Sequence, residues 1–347
     1  MGTAICDRQR RRTDRRNAYY LCANRNKRSI GIDISTPEGA DTVRALLAHC
    51  DVLIENFKPS GLARYGLAYD DLKDAFPSLI YCSISGFGQT GPHSKKPGYD
   101  LLAQAYGGIM SLTGEPDGEP MKVGVGIADV MTGMYASNAI LAALRHKGRT
   151  DEGQHIDIAL VDCQIAWLIN EGTNYLTSGQ VPRRRGNGHP NIVPYQIFEM
   201  ADGHAVVAVG NDAQFKRFCD LIGQSALADD PDYTTNAARL ENRVNLIAIL
   251  TKILCKLVRD WLIDGMEANG IPGGPINQLD DVFASDQVAA REMKITMPHS
   301  QAKSGTVDLI GNPVKFSKTP VTYRRPPPTC GADTDEILAE FLGQPTK

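Results

Sequence analysis

The chain has no CxxC pair. Its eight cysteines, Cys6, Cys22, Cys50, Cys82, Cys163, Cys219, Cys255 and Cys330, are scattered over 347 residues. Neither a zinc site nor a thioredoxin-like redox motif has support from such spacing. A chain this long does not need a disulfide framework, and reduced thiols in a cytosol-like, cytoplasmic compartment fit best. An excess of one charge is also lacking: 37 basic and 40 acidic residues leave a net −3. That balance gives no argument for nucleic acid or for an anionic membrane as partner. No apolar run reads as long enough to span a bilayer. The basic N-terminus has no apolar segment after it, so it is not a secretory signal. Cys6 stands where a myristoylation signal needs Ser or Thr. Asp7 and Asp14 argue against a transit peptide. No internal repeat is visible.

What is present is ordinary for a globular chain, with 42% hydrophobic and 22% charged residues. The length suggests two domains. Residues 1–18 are basic and without period, as in a disordered arm. Along 28–34, RSIGIDI alternates like a strand. Thr36 then caps a helix over 39–49, with Pro37 at its first position and Glu38 in its first turn. A short buried strand over 51–55 completes a unit of the kind that builds parallel sheets. A turn-rich loop (56–66), a helix (70–75) and a strand (79–85) follow, closed by a glycine-rich loop. Residues 99–110 look helical, and 129–144 read as a long small-residue helix that stops at Gly148. The sharpest change in composition is PRRRGNGHP at 182–190, taken as a domain boundary. The arginines Arg183, Arg184 and Arg185 there read first as a solvated loop. Beyond it come a hairpin (196–200 with 204–209), helices over 214–222, 237–257 and 259–269, a turn over 271–278 and a helix over 281–293. Short strands at 307–309 and 314–316, a proline linker and a final helix over 334–342 end the chain.

One stretch draws the chemistry together. Residues 155–168, HIDIALVDCQIAWL, alternate up to Leu160 and then take helical spacing at Ile165, Leu168 and Ile169. Asp162 therefore falls where a strand hands over to a helix. A carboxylate there lies at the carboxyl end of a strand, where open α/β sheets bind ligands. It can act as a nucleophile toward a carbonyl carbon. On position alone it reads as an N-cap. Cys163 beside it reads as a buried structural thiol.

Several blocks in order carry a more specific signal. NRNKRSIGID (24–33), ENFKPSGLARYGL (55–67) and SISGFGQTGP (83–92) are followed by GYDLLAQA (98–105), ADVMTGMYA (128–136) and GQHIDIALVD (153–162). Over 19–342 the chain resembles class III coenzyme A transferases, the formyl-CoA and carnitine CoA-transferase family. NGHPNIVPYQIF and IPGGPINQLDDVF bring it nearest in appearance to succinyl-CoA-dependent dicarboxylate transferases. The resemblance implies an α/β protein: a larger domain with a parallel sheet and flanking helices, and a smaller α+β domain. The domain limits expected are 1–18 (arm), 19–180 (large CoA-binding domain), 181–192 (linker and glycine loop), 193–297 (small domain) and 298–347 (return segment). It implies an interlocked homodimer. It matches the nucleophile to Asp162, a further active-site acid to Asp100, and CoA contacts to Ile32, Asp33, Asn56, Phe57, Lys58, Arg64, Gly98 and Tyr99. It places a shielding glycine loop at Gly186, Asn187 and Gly188. No metal and no permanently bound cofactor are implied, since acyl-CoA and a carboxylic acid are the substrates. The reaction implied is CoA transfer through an aspartyl anhydride and an aspartyl-CoA thioester. An α-methylacyl-CoA racemase is the alternative on the same fold. It pairs its aspartate with a histidine base, and that position is Tyr99 here, with His93 and His189 the other imaginable bases. The family normally begins with a strand and glycine-rich turn ahead of residue 19, which residues 1–18 do not reproduce. A CoA-binding remnant without catalysis is therefore the third reading.

Overall fold

The computed structural model describes residues 17–344. The arm expected over 1–18 lies outside them, except that Asn17 opens a short helix, Asn17–Ala23. The described chain forms two compact units. The first takes residues up to Ile109, Lys122–Gln180 and everything from Ser285 on; the second takes Met110–Met121 and Val181–Ala284.

The first unit is built on a parallel sheet of order β1–β2–β3, with β1 Val52–Glu55, β2 Ile80–Ser85 and β3 His155–Ala159. Val52 faces Ile80 across the first pair and Tyr81 faces His155 across the second. β2 runs through the middle and is buried along almost its whole length, as a central parallel strand must be. Successive side chains of a strand point to opposite faces. Tyr81 accordingly packs with Ala40, Leu47, Leu62, Leu67, Leu72 and Leu79, while Cys82 packs with Ala136, Ile158 and Cys163. Burial pushes the Tyr81 phenol far above its ordinary value, and its hydroxyl donates to the Leu67 carbonyl at 2.9 Å.

The helix Pro37–Leu47 starts as its sequence demands. The Thr36 hydroxyl accepts the Gly39 N–H at 3.1 Å. Only glycine fits at position 39, because a Cβ there would lie 1.9 Å from the Asp33 carbonyl oxygen. The strand expected over 28–34 does not form. Its alternation survives, with Gly31 and Asp33 exposed between half-buried Ile32 and Ile34. Its amides, however, bond to side chains: Ser29 N–H to Asp333 at 2.7 Å and Gly31 N–H to Thr334 at 2.9 Å. An extended segment becomes a strand only by pairing, and here the final helix, Thr334–Leu342, holds it instead. Between this segment and β1 lies an apolar cavity of about 350 Å³ lined by Ile30, Ile32, Ile34, Leu53 and Phe341 among others.

The helix Ile127–Thr150 outruns its expected end: Gly148 lies inside it, and the left-handed stop is Asp151 at φ 60°. By length and composition this helix is apolar enough to cross a membrane, against the expectation that no segment is. Its buried Ala128, Met131, Thr132, Ala136 and Ala143 make it a sheet-packing helix here. The hand-over at β3 also falls earlier than expected. The helix Leu160–Ala166 begins at once after Ala159, so Asp162 is already in its first turn.

In the second unit β4 (Tyr195–Met200), β5 (Gly203–Ala208) and β6 (Gly273–Pro275) form an antiparallel sheet. Met200 faces Gly203 across the hairpin. β6 lies in the stretch expected as a plain turn. The expected 237–257 helix is two, Asn236–Glu241 and Arg243–Leu254, and that over 281–293 is Leu279–Ala284 and, already in the first unit, Asp286–Ala290. The core gathers Phe198, Val207, Phe215, Phe218, Leu250 and Met266. It also holds the fully buried Arg239, which donates to the carbonyls of Val193 at 2.7 Å and Tyr233 at 2.9 Å and to Asp212 at 2.8 Å. Back in the first unit, β7 (Lys294–Pro298) pairs antiparallel with β8 (Thr306–Ile310). No strand forms at 314–316, where the Asn312 side chain takes the Val314 amide at 2.8 Å.

Candidate active site

The carboxyl ends of β1 and β2 open into a cavity of about 860 Å³. This is where a parallel sheet binds ligands, since the loops leaving its strands diverge there. Asn56, Phe57, Lys58 and Pro59 leave β1, and Ser85 and Gly86 end β2. Lys96 to Asp100 form a third wall, and Asp129, Thr132, Gly133 and Leu160 close the fourth.

Local chemistry fixes each wall. The Glu55 carboxylate accepts the Phe57 N–H at 2.7 Å. The turn after it closes with Gly61 N–H on the Lys58 carbonyl at 2.7 Å, Ser60 being left-handed at φ 61°. Gly86 and Gly98 touch backbone to backbone: a Cβ on Gly98 would lie 2.1 Å from the Gly86 Cα. That contact seats the 96–100 run on the end of β2.

Asp100 then reaches the first turn of the 127–150 helix. Its Oδ1 accepts the Ala128 N–H at 2.8 Å and the Asp129 N–H at 3.4 Å, and its Oδ2 accepts from Gln104 at 2.7 Å. The helix's own N-cap, Gly126, has no side chain to offer. Asp100 supplies the missing cap from 28 residues upstream. Asp129 follows three residues after the cap, with its carboxyl on the cavity. Burial raises its pKa, and the Asp100 charge adds to the rise. One turn on, Gly133 leaves the space beside it open.

The cavity therefore unites Asn56, Phe57, Lys58, Gly98, Tyr99 and Asp100 from the expected site. It does not include the rest. Ile32 lines the apolar cavity, which shares Ile54, Glu55 and Phe57 with this one. Asp33 is occupied with Ser35, whose N–H and hydroxyl it accepts at 3.0 and 2.6 Å, and these bonds lower its pKa. Arg64 lies over the Tyr65 ring at 4.6 Å. Asp162 is exposed on its helix and lines no wall of the cavity. Gly186, Asn187 and Gly188 belong to the second unit. Arg184 there anchors the adjoining segment, donating to the carbonyls of Glu115 at 3.1 Å and Gly118 at 2.6 Å. Burial pushes the Cys163 thiol up, consistent with an inert packing residue.

Three charged groups missed from the sequence line the cavity, Glu55, Asp129 and Lys96. Asp129 was visible as the acid opening the long helix in ADVMTGMYA; what lifts it above a first-turn charge is the contact with Asp100. No histidine lines the cavity among the described residues. His93 packs edge-on against Phe87 and Tyr106, at 5.8 and 5.9 Å between ring centres. No cluster of His, Cys, Asp or Glu able to hold a metal occurs among the described residues.

A family model described as CoA-transferase family III matches residues 6–334. The match reaches further back than the start at residue 19 read from the sequence. A succinate–glutarate CoA-transferase of Agrobacterium fabrum is 49% identical over 325 residues, covering 93% of this chain and 80% of that one. A human succinyl-CoA:glutarate CoA-transferase is 41% identical over 327 residues, covering 94% and 74%. Among solved structures, a CAIB/BAIF family protein from Brucella suis superposes with a TM-score of 0.83 at 47% identity, over 93% of this chain and 84% of that one.

Proposed function

The chain belongs to CoA-transferase family III, and from that premise we propose that it moves CoA from succinyl-CoA to a dicarboxylic acid such as glutarate, with Asp162 as nucleophile. The donor and acceptor follow the names of its similar relatives. One observation supports the residue: Asp162 ends the GQHIDIALVD block and stands exposed in the first turn of the helix that follows β3, where the resemblance puts the nucleophile.

The steps follow from a carboxylate meeting a thioester. An Asp162 oxygen attacks the thioester carbonyl carbon. The carbon–sulfur bond breaks, CoA leaves as thiolate, and an aspartyl–succinyl anhydride remains. The thiolate then attacks the Asp162 carbonyl, expelling succinate and leaving an aspartyl-CoA thioester. The acceptor carboxylate attacks that thioester, regenerating thiolate and a second anhydride. Attack of the thiolate on the acceptor carbonyl releases the new acyl-CoA and the free Asp162 carboxylate. Asn56, Phe57, Lys58, Gly98 and Tyr99 hold the CoA in this reading. The exposed apolar residues Leu101, Leu102, Val130, Met134 and Leu141 support a homodimer.

The test is intact-protein mass after succinyl-CoA and then hydroxylamine, which captures an activated aspartyl as its hydroxamate. Native protein and Asp129→Ala are expected to gain mass, and Asp162→Ala is expected to gain none. An adduct that survives Asp162→Ala and vanishes with Asp129→Ala would move the nucleophile to Asp129. No adduct in a chain that binds CoA would point to binding without transfer.

A further inference from the structure

We propose that Gly188, Gln196 and Arg243 form an oxyanion site within the second unit, one that takes the free carboxylate of the diacid or a phosphate of CoA. Only the naming of those two ligands rests on the activity proposed above. The three residues meet at one point. Glycine at 188 leaves a space bounded by the Arg185 carbonyl oxygen at 3.3 Å, Arg243 Nη1 at 3.5 Å and Gln196 Oε1 at 3.9 Å, measured from where a Cβ would stand. The Arg243 guanidinium is only half committed. Its Nη2 donates to the carbonyls of His189 at 2.7 Å and Pro190 at 3.0 Å, while Nε and Nη1 bond to nothing among the described residues. The half-buried Gln196 carboxamide likewise has no partner among them. Polar groups withdrawn from water are normally paired, so two left unpaired around one bare glycine mark a place for a ligand.

Charge decides the ligand's sign. Burial and, after it, the Arg185 charge lower the Arg243 pKa, so this guanidinium faces a second cation. The Glu115 carboxylate faces Gly186 instead, 3.0 Å from where a Cβ would stand there. A guanidinium with free N–H groups matches the oxygens of a carboxylate or a phosphate. The Gln196 amide can turn its NH2 toward the same oxygens. The site is also held in place. Three residues spaced three and four apart fasten the chain over 189–193. Asn236 takes the Asn191 carbonyl at 2.9 Å and the Val193 amide at 3.2 Å, Arg239 the Val193 carbonyl at 2.7 Å, and Arg243 the His189 carbonyl. The His189 N–H adds a bond to the Tyr195 carbonyl at 3.0 Å, and the Gly188 N–H one to the Arg185 carbonyl at 3.1 Å. Groups fixed before a ligand arrives lose little freedom on binding it.

Calorimetry of the full chain with glutarate and, separately, with CoA tests the site, beside KM and kcat with succinyl-CoA as donor. Gly188 is not left-handed, so alanine suits its backbone. Gly188→Ala fills the space with a methyl and leaves every charge in place. Arg243→Lys keeps a donor for the two carbonyls and loses the free arm. Each should weaken one of the two ligands about 10- to 100-fold, the range for a charge-assisted hydrogen bond, and raise its KM with kcat little changed. Gln196→Leu should weaken the same ligand about 5-fold, as for a single neutral hydrogen bond. Loss for glutarate alone assigns the site to the carboxylate, and loss for CoA alone assigns it to a phosphate. Binding unmoved by all three variants overturns the site. So does an equal loss of both ligands, which marks a loop displaced as a whole. Glutarate binding lost through these variants in a protein that transfers no CoA upholds the site and overturns the activity. Transfer to glutarate with both affinities unmoved does the reverse.

Discussion

Asp129 and Asp162 occupy the same place in two helices, the third residue after the cap. Both carry a carboxylate into a first turn, where unsatisfied amides favour negative charge. Their surroundings differ. The Asp129 helix runs 24 residues, its cap is a distant carboxylate, and its first turn forms a cavity wall. The Asp162 helix runs 7 residues, follows β3 directly, and shows its first-turn acid to solvent. The same first-turn acid is therefore held in two ways: capped and crowded by a second chain segment at Asp129, and left exposed at the end of β3 at Asp162.

The largest effect should come from exchanging the carboxylates one at a time. Asp162→Asn is expected to lower kcat/KM by at least about 10³-fold, because the amide is a poor nucleophile and the covalent route closes. Asp129→Asn keeps the covalent route and should cost clearly less. Equal losses would break the comparison. The next effect tests the seating of the 96–100 run. Gly98→Ala places a methyl 2.1 Å from the Gly86 Cα, backbone that cannot turn aside. The run must lift from β2, and a displacement near 1 Å costs about 10²-fold in rate. Steady-state kinetics beside an unchanged circular dichroism spectrum would separate this from unfolding.

Much of the frame was legible in the residues. β1, β2 and β3 were found because buried apolar runs and alternation are local properties, and the Thr36 cap and final helix because capping is local too. The 28–34 segment misled because alternation reports burial of one side, whereas a strand needs a partner. β6 escaped because three residues with two glycines carry no periodicity. The Asp100 cap was hidden for a stronger reason. It depends on Asp100 reaching across 28 residues to a helix whose own cap is glycine. Nothing in either local window announces that contact.

A smaller effect sharpens the electrostatic part of the contrast. Burial and the Asp100 charge both raise the Asp129 pKa, burial the more. NMR titration of the Asp129 carboxyl carbon reads that pKa directly. Asp100→Asn keeps an oxygen for the Ala128 amide and removes the charge, so the Asp129 titration should move to lower pH while part of the elevation from burial stays. Asp100→Ala loses the cap as well and should cost about 1 kcal/mol of stability in urea unfolding. A titration that does not move would show that Asp100 acts on Asp129 by position alone.

The smallest effect is on stability, at Asp162. If in the fold its carboxylate does no more than face the amides of a short helix start, Asp162→Asn should cost about 0.5 kcal/mol at low salt. That cost should shrink as salt screens the exposed charge. Urea unfolding at two ionic strengths measures both. A salt-insensitive loss well above 1 kcal/mol would mean that Asp162 has a buried partner in the assembled protein. The two helix starts would then be more alike than the single chain makes them.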